Sequence, residues 1–482
     1  MSEKFKPKYS RVAQLKTAED FKNYLEDGGI DLPFDEEVTS GSDSPYGQPF
    51  VLKSGKKIGN RFSILPMEGW DGTTDGKPTD YTKRRWKHFA ISGAKLLWGG
   101  EAFAVMPEGR ANPNQLMALK ENFSELEGLY KLVMENHKSA FGTTDDLVIG
   151  FQLTHSGRFC KPYDKRKSEP RIAYHHPVLD RRFGIDNDDS KILTDAEIDH
   201  LIERYIDSAK LAQKAGFDFV DVKHCHGYLG HEILSGYHRE GKYGGSFENR
   251  TRFLKDIVAG IRSEAPGLDI GVRLSAFDWV PFKQGEDGIG IAEQVSGDYE
   301  YAFGGGKSGI DIDLSEPFKL IELMQSLGIE LVCMTAGSPY YNPHIQRPAL
   351  FPPSDGYQPP EDPLKGVARQ IKIAGDIKKA FPDIALIGSA YSYLQEWLPN
   401  VGQYVLRNGM SDFIGLGRMV LSYPELPRDV LEGKPMERKK ICRTFSDCTT
   451  GPRNGMISGC FPLDPFYKAL PEAAEVKKIK TS

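Results

Sequence analysis

Residues 217–252, FDFVDVKHCHGYLGHEILSGYHREGKYGGSFENRTR, open as a buried strand and end in reactive groups. Phe219, Val220 and Val222 suit a core strand, yet Lys223, His224, Cys225, His226 and Tyr228 follow at once, around Gly227. One histidine capping a strand is commonplace. An ammonium, two imidazoles and a phenol within six positions can polarise a carbonyl and move a proton. Such groups at the C-terminal end of a barrel strand lie on the face where (β/α)8 enzymes carry out their chemistry.

Other apolar runs end in polar residues too. One ends in Pro66-Met67-Glu68-Gly69-Trp70 and the next in Glu101-Ala102. The run QLTHSGR places Gln152, His155 and Arg158 at one rim, and GVRLS puts Arg273 inside a barrel mouth. A buried guanidinium must be met by an anion, an electron-rich ring or an internal carboxylate. Two further runs end in Ser389-Ala390 and Gly417-Arg418. Small residues there let backbone N–H groups approach an anion, and the loops after strands seven and eight are a recurrent phosphate site in barrels. The alternative is two tight turns and a surface arginine. The set as a whole points to a phosphate-bearing ligand that crosses from Arg418 toward Gln152, Arg273 and the Lys223–Tyr228 cluster.

These ends need strands to hold them. Short β-branched runs at 62–66, 95–101, 147–153, 218–223, 269–275, 330–335, 384–388 and 412–416 alternate with amphipathic segments at 79–93, 123–138, 196–215, 248–263, 316–327, 366–380 and 393–408. Eight strands alternating with helices predict parallel pairing and right-handed crossovers, hence an α/β protein with a (β/α)8 TIM barrel. An open doubly wound sheet is the runner-up, but no strand is followed by GxGxxG. Residues 280–314 and 338–363 interrupt the rhythm after strands 5 and 6 and read as long lid loops on the catalytic face. Residues 1–57 read as an N-terminal extension, either a wrapping arm or a flexible tail. Residues 58–435 read as the barrel and 436–482 as a short C-terminal extension.

Composition narrows the partners. The net charge of −5 gives no basic field for nucleic acid. The start, MSEKFKPKYS, has no apolar signal region, and no apolar run reaches ~18 residues. Six cysteines in a chain this long make no disulfide framework, and a reducing cytoplasm fits them.

With NRFSILPM, EAFAVMPEGR, QLTHSGR, HGYL followed by KYGGSFENRTRF, GVRLS and GLGR in this order, residues 60–418 resemble the old yellow enzyme family of FMN-dependent oxidoreductases. They are similar above all to the branch of dienoyl-CoA reductase and trimethylamine dehydrogenase. The resemblance implies FMN at the barrel mouth, with NADH or NADPH as reductant. Pro66, Met67 and Ala102 would line the ring, and Gln152 would bond its pyrimidine edge. Arg273 would sit beside N1 and O2. Ser389, Ala390, Gly417 and Arg418 would hold the phosphate. The family's substrate anchors would be Lys223 and His226, and its proton donor Tyr228.

The departures from the family are specific. Lys223 stands where the family has His, which favours an anionic small-molecule substrate. Glu68 stands beside the ring position, and a Glu68–Lys223 pair is expected to neutralise it. The branch's four-cysteine run for an iron–sulfur cluster keeps Cys442, Cys448 and Cys460 but has Phe445 at the second position. A relic without metal is the preferred reading, and a cluster with Asp447 as fourth ligand is the other. The expected activity is NAD(P)H-dependent reduction of an activated C=C bond. A dehydrogenase of an amine or alcohol that passes electrons to a carrier is the alternative, and a Schiff-base aldolase using Lys223 is a remote one. The substrate and the oligomeric state are open, a homo-oligomer included.

Overall fold

A computed structural model describes residues 8–185 and 187–481. Among them, eight parallel strands close into a barrel. They are β1 (Phe62–Ile64), β2 (Leu96–Leu97, resumed at Ala102–Ala104), β3 (Val148–Thr154), β4 (Phe219–Val222), β5 (Asp269–Ser275), β6 (Leu331–Thr335), β7 (Ala385–Gly388) and β8 (Phe413–Leu416). The ring shuts where Ile414 of β8 pairs with Phe62 of β1, and where Leu96 and Ala102 of β2 pair with Val148 and Gln152 of β3. The helices between strands are α1 (Asp80–Ala90), α2 (Phe123–Phe141), α3 (Asp195–Ala215), α4 (Arg252–Glu264), α5 (Ser315–Ser326), α6 (Pro363–Ala380) and α7 (Leu398–Arg407).

Helix α3 shows why these segments form. The Thr194 hydroxyl accepts from the Glu197 amide at 3.2 Å, and the Glu197 carboxylate accepts from the Thr194 amide at 2.8 Å. Two of the orphan N–H groups at the helix start are thus satisfied. Gly216 ends the helix at φ 106°, a conformation in which a side chain would be strained. Between these caps Ile198, Leu201, Ile202 and Tyr205 face the barrel. Each contributes about 2 kcal/mol relative to an exposed position. A charge at Leu201 would break the stripe.

Strand alternation sorts the barrel interior into layers. At the closed end Val148, Phe219, Leu331, Ala385 and Phe413 pack together, and an antiparallel hairpin, Phe50–Val51 with Lys57–Ile58, covers them with Leu52 and Ile58. Two residues further along each strand lie Gly150, Asp221, Cys333, Ile387 and Gly415. Two more along lie Gln152, Lys223, Thr335, Ser389 and Gly417 at the open end. The catalytic rim is therefore the third layer of one alternating pattern.

Several boundaries differ from the sequence expectation. Helix α6 begins at Pro363, not 366, because Asp362 caps it and proline suits the first helical turn. The segment expected as one helix over 393–408 starts as 3-10 turns, Tyr391–Trp397, kinked within at Gln395 (φ 52°), before α7 begins at Leu398. Strand β2 is interrupted at Gly99 and Gly100. A Cβ on Gly99 would lie 2.9 Å from the Gln152 nitrogen, so only glycine lets the two strands approach there.

The described part of the extension wraps the barrel. Phe21 stacks on Trp397 at 4.7 Å, and the Trp397 indole donates to the Leu15 carbonyl. Asp35 accepts from Gln403 and Arg407 of α7. Residues 280–314 carry a small hairpin, Phe282–Gln284 with Gly290–Ala292, and residues 338–363 carry a helical turn, Pro343–Gln346. Past β8 the chain turns back over the barrel mouth. The Ser458 amide donates to the Gly69 carbonyl, and Arg347 donates to Thr449. No helix among the described residues is long and apolar enough to cross a membrane.

Candidate active site

Two adjoining cavities, of about 230 and 200 Å³, occupy the open end of the barrel. They share Pro66, Glu68, His226, Arg273, Gln346, Arg347, Cys448 and Thr449 as a common wall. The first holds Met67, Ser389, Ala390, Gly417 and Arg418. The second holds Ala102, Gln152, Lys223, Tyr228 and Tyr340. Every residue to which the resemblance gave a cofactor or substrate role lines one of the two.

The first cavity is built for an anion. Ser389 Oγ, Arg418 Nη1 and Arg347 Nη2 are buried there without a partner among the described residues. Burial and the charges of Arg418 and Arg453 pull the Arg347 guanidinium below its ordinary value. Two half-buried guanidiniums side by side repel each other unless an anion lies between them. A Cβ on Gly417 would meet only Met67 Sδ, at 3.8 Å, so its backbone faces open space. Ala390 sits at φ 74°, a left-handed conformation that costs an alanine about 1 kcal/mol or more. These unsatisfied donors and the bare backbone fit the phosphate of FMN. Arg347 was not expected from the sequence, since it lies in a proline-rich loop with no motif around it.

The second cavity contains the candidate chemistry. Asp221, one layer below, accepts from the Gln152 amide at 2.5 Å, the Trp98 indole at 2.6 Å and the Arg273 backbone at 2.7 Å. It aims the Gln152 carbonyl into the cavity and sets the strand that carries Arg273. Asp221 is a second residue missed from sequence, although a carboxylate inside an apolar strand is itself a signal. Lys223 Nζ lies 3.6 Å from Glu68 and 3.7 Å from the centre of the Tyr228 ring. The expected Glu68–Lys223 pair is present, and Trp70 donates to the other Glu68 oxygen at 2.6 Å. Burial lowers the Lys223 pKa, Glu68 opposes the fall and Arg273 adds to it. Burial, then the charges of Arg273 and Lys223, holds His226 well below the usual imidazole range, so the ring is neutral at pH 7. Its φ of 66° lifts it over the cavity, where Nε2 lies 3.2 Å from the Gln346 amide nitrogen. Tyr228 is held well above 10 by burial and by Glu68, and its hydroxyl lies 2.8 Å from that of Tyr340.

Four residues of the expected clusters point elsewhere. Burial pushes His224 down to about 4, and its Nδ1 faces the Val222 carbonyl. Cys225 lines neither cavity. His155 lies on the opposite strand face from Gln152, buried, with its ring accepting from the Gly157 amide. Arg158 is paired with Asp180 and Glu232, which makes it a brace between loops.

The loop carrying Glu68 has a buried support of its own. Arg85 bridges Asp71 and Glu101, and the Gly69 amide donates to Glu101. Burial raises Glu101 to about 7, with Arg85 opposing the rise.

Cys442, Cys448 and Cys460 surround a cavity of only about 20 Å³ beside Arg418. Phe445 fills the missing cysteine's position with its ring 5.3 Å from Phe351, and Asp447 is taken by Lys480. Among the described residues no three His, Cys, Asp or Glu side chains are arranged to hold a metal ion. The residues present do not fit a four-iron cluster, which needs four ligands. Anaerobically purified protein is expected to contain far less than one iron per chain by elemental analysis; about four irons with four sulfides would show a cluster held by another ligand set.

A parallel barrel whose mouth gathers unpartnered guanidinium and hydroxyl groups beside a polar pocket has the donors a phosphate-bearing cofactor needs. The chain belongs to the NADH:flavin oxidoreductase / NADH oxidase family, whose model matches residues 47–319. It is an FMN-dependent NAD(P)H oxidoreductase. Among its relatives is the NADPH dehydrogenase of Geobacillus thermodenitrificans, 28% identical over 79% of this chain and 91% of that enzyme. Two solved structures share the fold. One is 2-naphthoyl-CoA reductase, with a TM-score of 0.62 and 18% identity, covering 90% of this chain and 58% of that one. The other is the old yellow enzyme homologue from Zymomonas mobilis, with a TM-score of 0.53 and 20% identity, covering 81% and 93%. The chain thus spans little more than half of the naphthoyl-CoA reductase.

Proposed function

We propose that the enzyme reduces the C=C bond of an α,β-unsaturated carbonyl compound. The observation that carries this reading is the convergence of Lys223, His226 and Tyr228 on the cavity that Gln152 and Arg273 also line. Pro66, Met67 and Ala102 would lie along the FMN ring, Gln152 and Arg273 at its polar edge, and Ser389, Ala390, Arg347, Gly417 and Arg418 around its phosphate. When bound, FMN supplies the hydride carrier between NAD(P)H and the substrate.

The chain's own groups do the rest. Lys223 and the neutral His226 offer N–H donors to the carbonyl oxygen and stabilise the enolate-like charge that develops on it. Tyr228, protonated across the physiological range, gives its proton to the α-carbon. Tyr340, in contact with Tyr228, is placed to restore that proton. Tyr340, Pro452 and Arg453 form one wall of the cavity.

In one form of the dehydrogenase reading Glu68 binds a cationic substrate, but Glu68 is already engaged by Lys223 and Trp70; in the other, Lys223 with His226 acts as base. Family membership sets aside the Schiff-base reading. The test is anaerobic NADPH oxidation by cyclohex-2-enone, with the saturated ketone identified by mass. An enzyme that holds FMN, is reduced by NADPH and leaves a panel of enones untouched would sink the proposal.

A pH dependence follows from Lys223. The ammonium is the useful form, and its lowered pKa means that the charge disappears on the alkaline side before pH 10.5, the ordinary lysine value. Enone kcat/KM is expected to fall as pH rises through that point. In Lys223→Arg the limb should move beyond the accessible range, and a pH–rate profile of both proteins checks this.

A further inference from the structure

Beyond the ring pocket lies a larger chamber of about 470 Å³, which shares the wall formed by Trp70, Pro339, Tyr340, Pro452 and Arg453. Its composition differs from that of the site behind it. Phe159, Phe183 and Phe282 give it aromatic sides, and Phe159 stacks on Tyr340 at 4.0 Å. Five cationic side chains, Lys161, Lys165, Arg182, Lys283 and Arg453, face two carboxylates. Glu293 is shared by Arg182 at 3.0 Å and Lys283 at 2.9 Å, and Asp355 is taken by Arg453. Lys165 donates only to the Gly455 carbonyl, and Lys161 has no charged partner among the described residues. Burial draws the Lys165 pKa down with no anion to offset it. This surplus is local, because the whole chain carries −5. The loop at the rim, 161–171, does not enlarge it, because Lys167 pairs with Glu169 at 2.9 Å and Arg171 with Glu197.

We propose that this chamber is the tail subsite of an elongated acceptor, whose ring-bearing apolar body lies between the aromatic walls and whose anionic end meets Lys161 and Lys165. The proposal rests on the enone reading for the head of the substrate and adds to it the class of the tail. Aromatic sides reward a flat apolar body. Uncompensated, half-buried cations reward an anion more than surface lysines would, since less water screens them. A cavity of this size holds a drug-sized fragment. The anion could instead belong to the reductant, as a phosphate of NADPH, and the experiment separates the two sources.

The test compares benzylideneacetone with its para-carboxylate in the holoenzyme and in Lys161→Gln/Lys165→Gln. The carboxylate is expected to have a KM about tenfold below that of the neutral ketone in the wild type, and to lose that advantage in the double variant. The neutral ketone has no group to meet the lysines and should keep its KM. Calorimetry with the saturated keto acid, 4-(3-oxobutyl)benzoate, reads the same loss of affinity without turnover. It therefore reports on the chamber even if no enone is reduced. A KM that rises equally for both ketones, a rise for NADPH in place of the acid, or unchanged keto-acid binding would each overturn the assignment.

Discussion

Replacing Tyr228 with Phe is expected to slow reoxidation of the reduced enzyme by an enone about 10²–10⁴-fold, the range of a lost general acid. Reduction by NAD(P)H should stay near wild type, because that half of the cycle needs no proton delivered to carbon. The substitution keeps the ring, and with it the contact to Lys223 and the edge packing on Phe159. It removes only the hydroxyl that meets Tyr340. Loss of rate therefore reports on the proton and not on packing. Stopped-flow measurement of each half-reaction separates the outcomes. Slowing confined to the NAD(P)H step would remove Tyr228 from its role and bring the dehydrogenase reading forward.

The second large effect concerns the anion pole. Arg347 and Arg418 are half-buried, and each has one buried guanidinium nitrogen unpartnered among the described residues in the same cavity. A hydrogen bond to a charged group is worth about 1.5–3 kcal/mol, so Arg347→Ala and Arg418→Ala should each weaken FMN binding by about 10–100-fold. The double variant should lose more than either. Removing one arginine also relieves its repulsion with the other, so the two effects should fall short of additive. Fluorescence titration of deflavinated protein with FMN gives both dissociation constants. Riboflavin, which lacks the phosphate, is the control: its affinity should barely change. Equal losses for FMN and riboflavin would mean that the arginines hold the loop and not the phosphate.

How much of this was legible in the sequence depended on period. The barrel could be read because each strand is a short apolar run and each helix carries a stripe. The alternation Phe219, Asp221, Lys223, which puts these three side chains inside the barrel, was there to be followed and was not. His155 was misplaced because it is an odd number of positions from Gln152, which puts it on the opposite face. Arg158 was misplaced because it follows the strand in a 3-10 turn, where that alternation no longer applies. Asp221 was passed over as a strand residue, although its burial demands the three donors it receives. Arg347 was invisible for a different reason. Nothing in a proline-rich loop states where the loop folds back, and the residue earns its place only through a contact with Thr449 a hundred positions later. The roof over the mouth was hidden in the same way.

The placement of that roof governs the order in which a working molecule comes into being. The ring cannot shut until β8 has been synthesised and reaches β1, and the mouth is not covered until residues 446–458 have docked on Gly69 and Arg347. A nucleotide that enters between those two events finds Ser389, Gly417 and Arg418 gathered, but Arg347 not yet held by Thr449 and its upper side open. One that arrives later must wait for the segment to lift. Loading is then expected to be a late step of biogenesis, at a speed set by how often residues 446–458 let go. An enzyme made in flavin-poor cells should then accumulate as a folded apoprotein that fills slowly when FMN is restored, at a rate that stops rising with FMN concentration once the opening of the segment limits it.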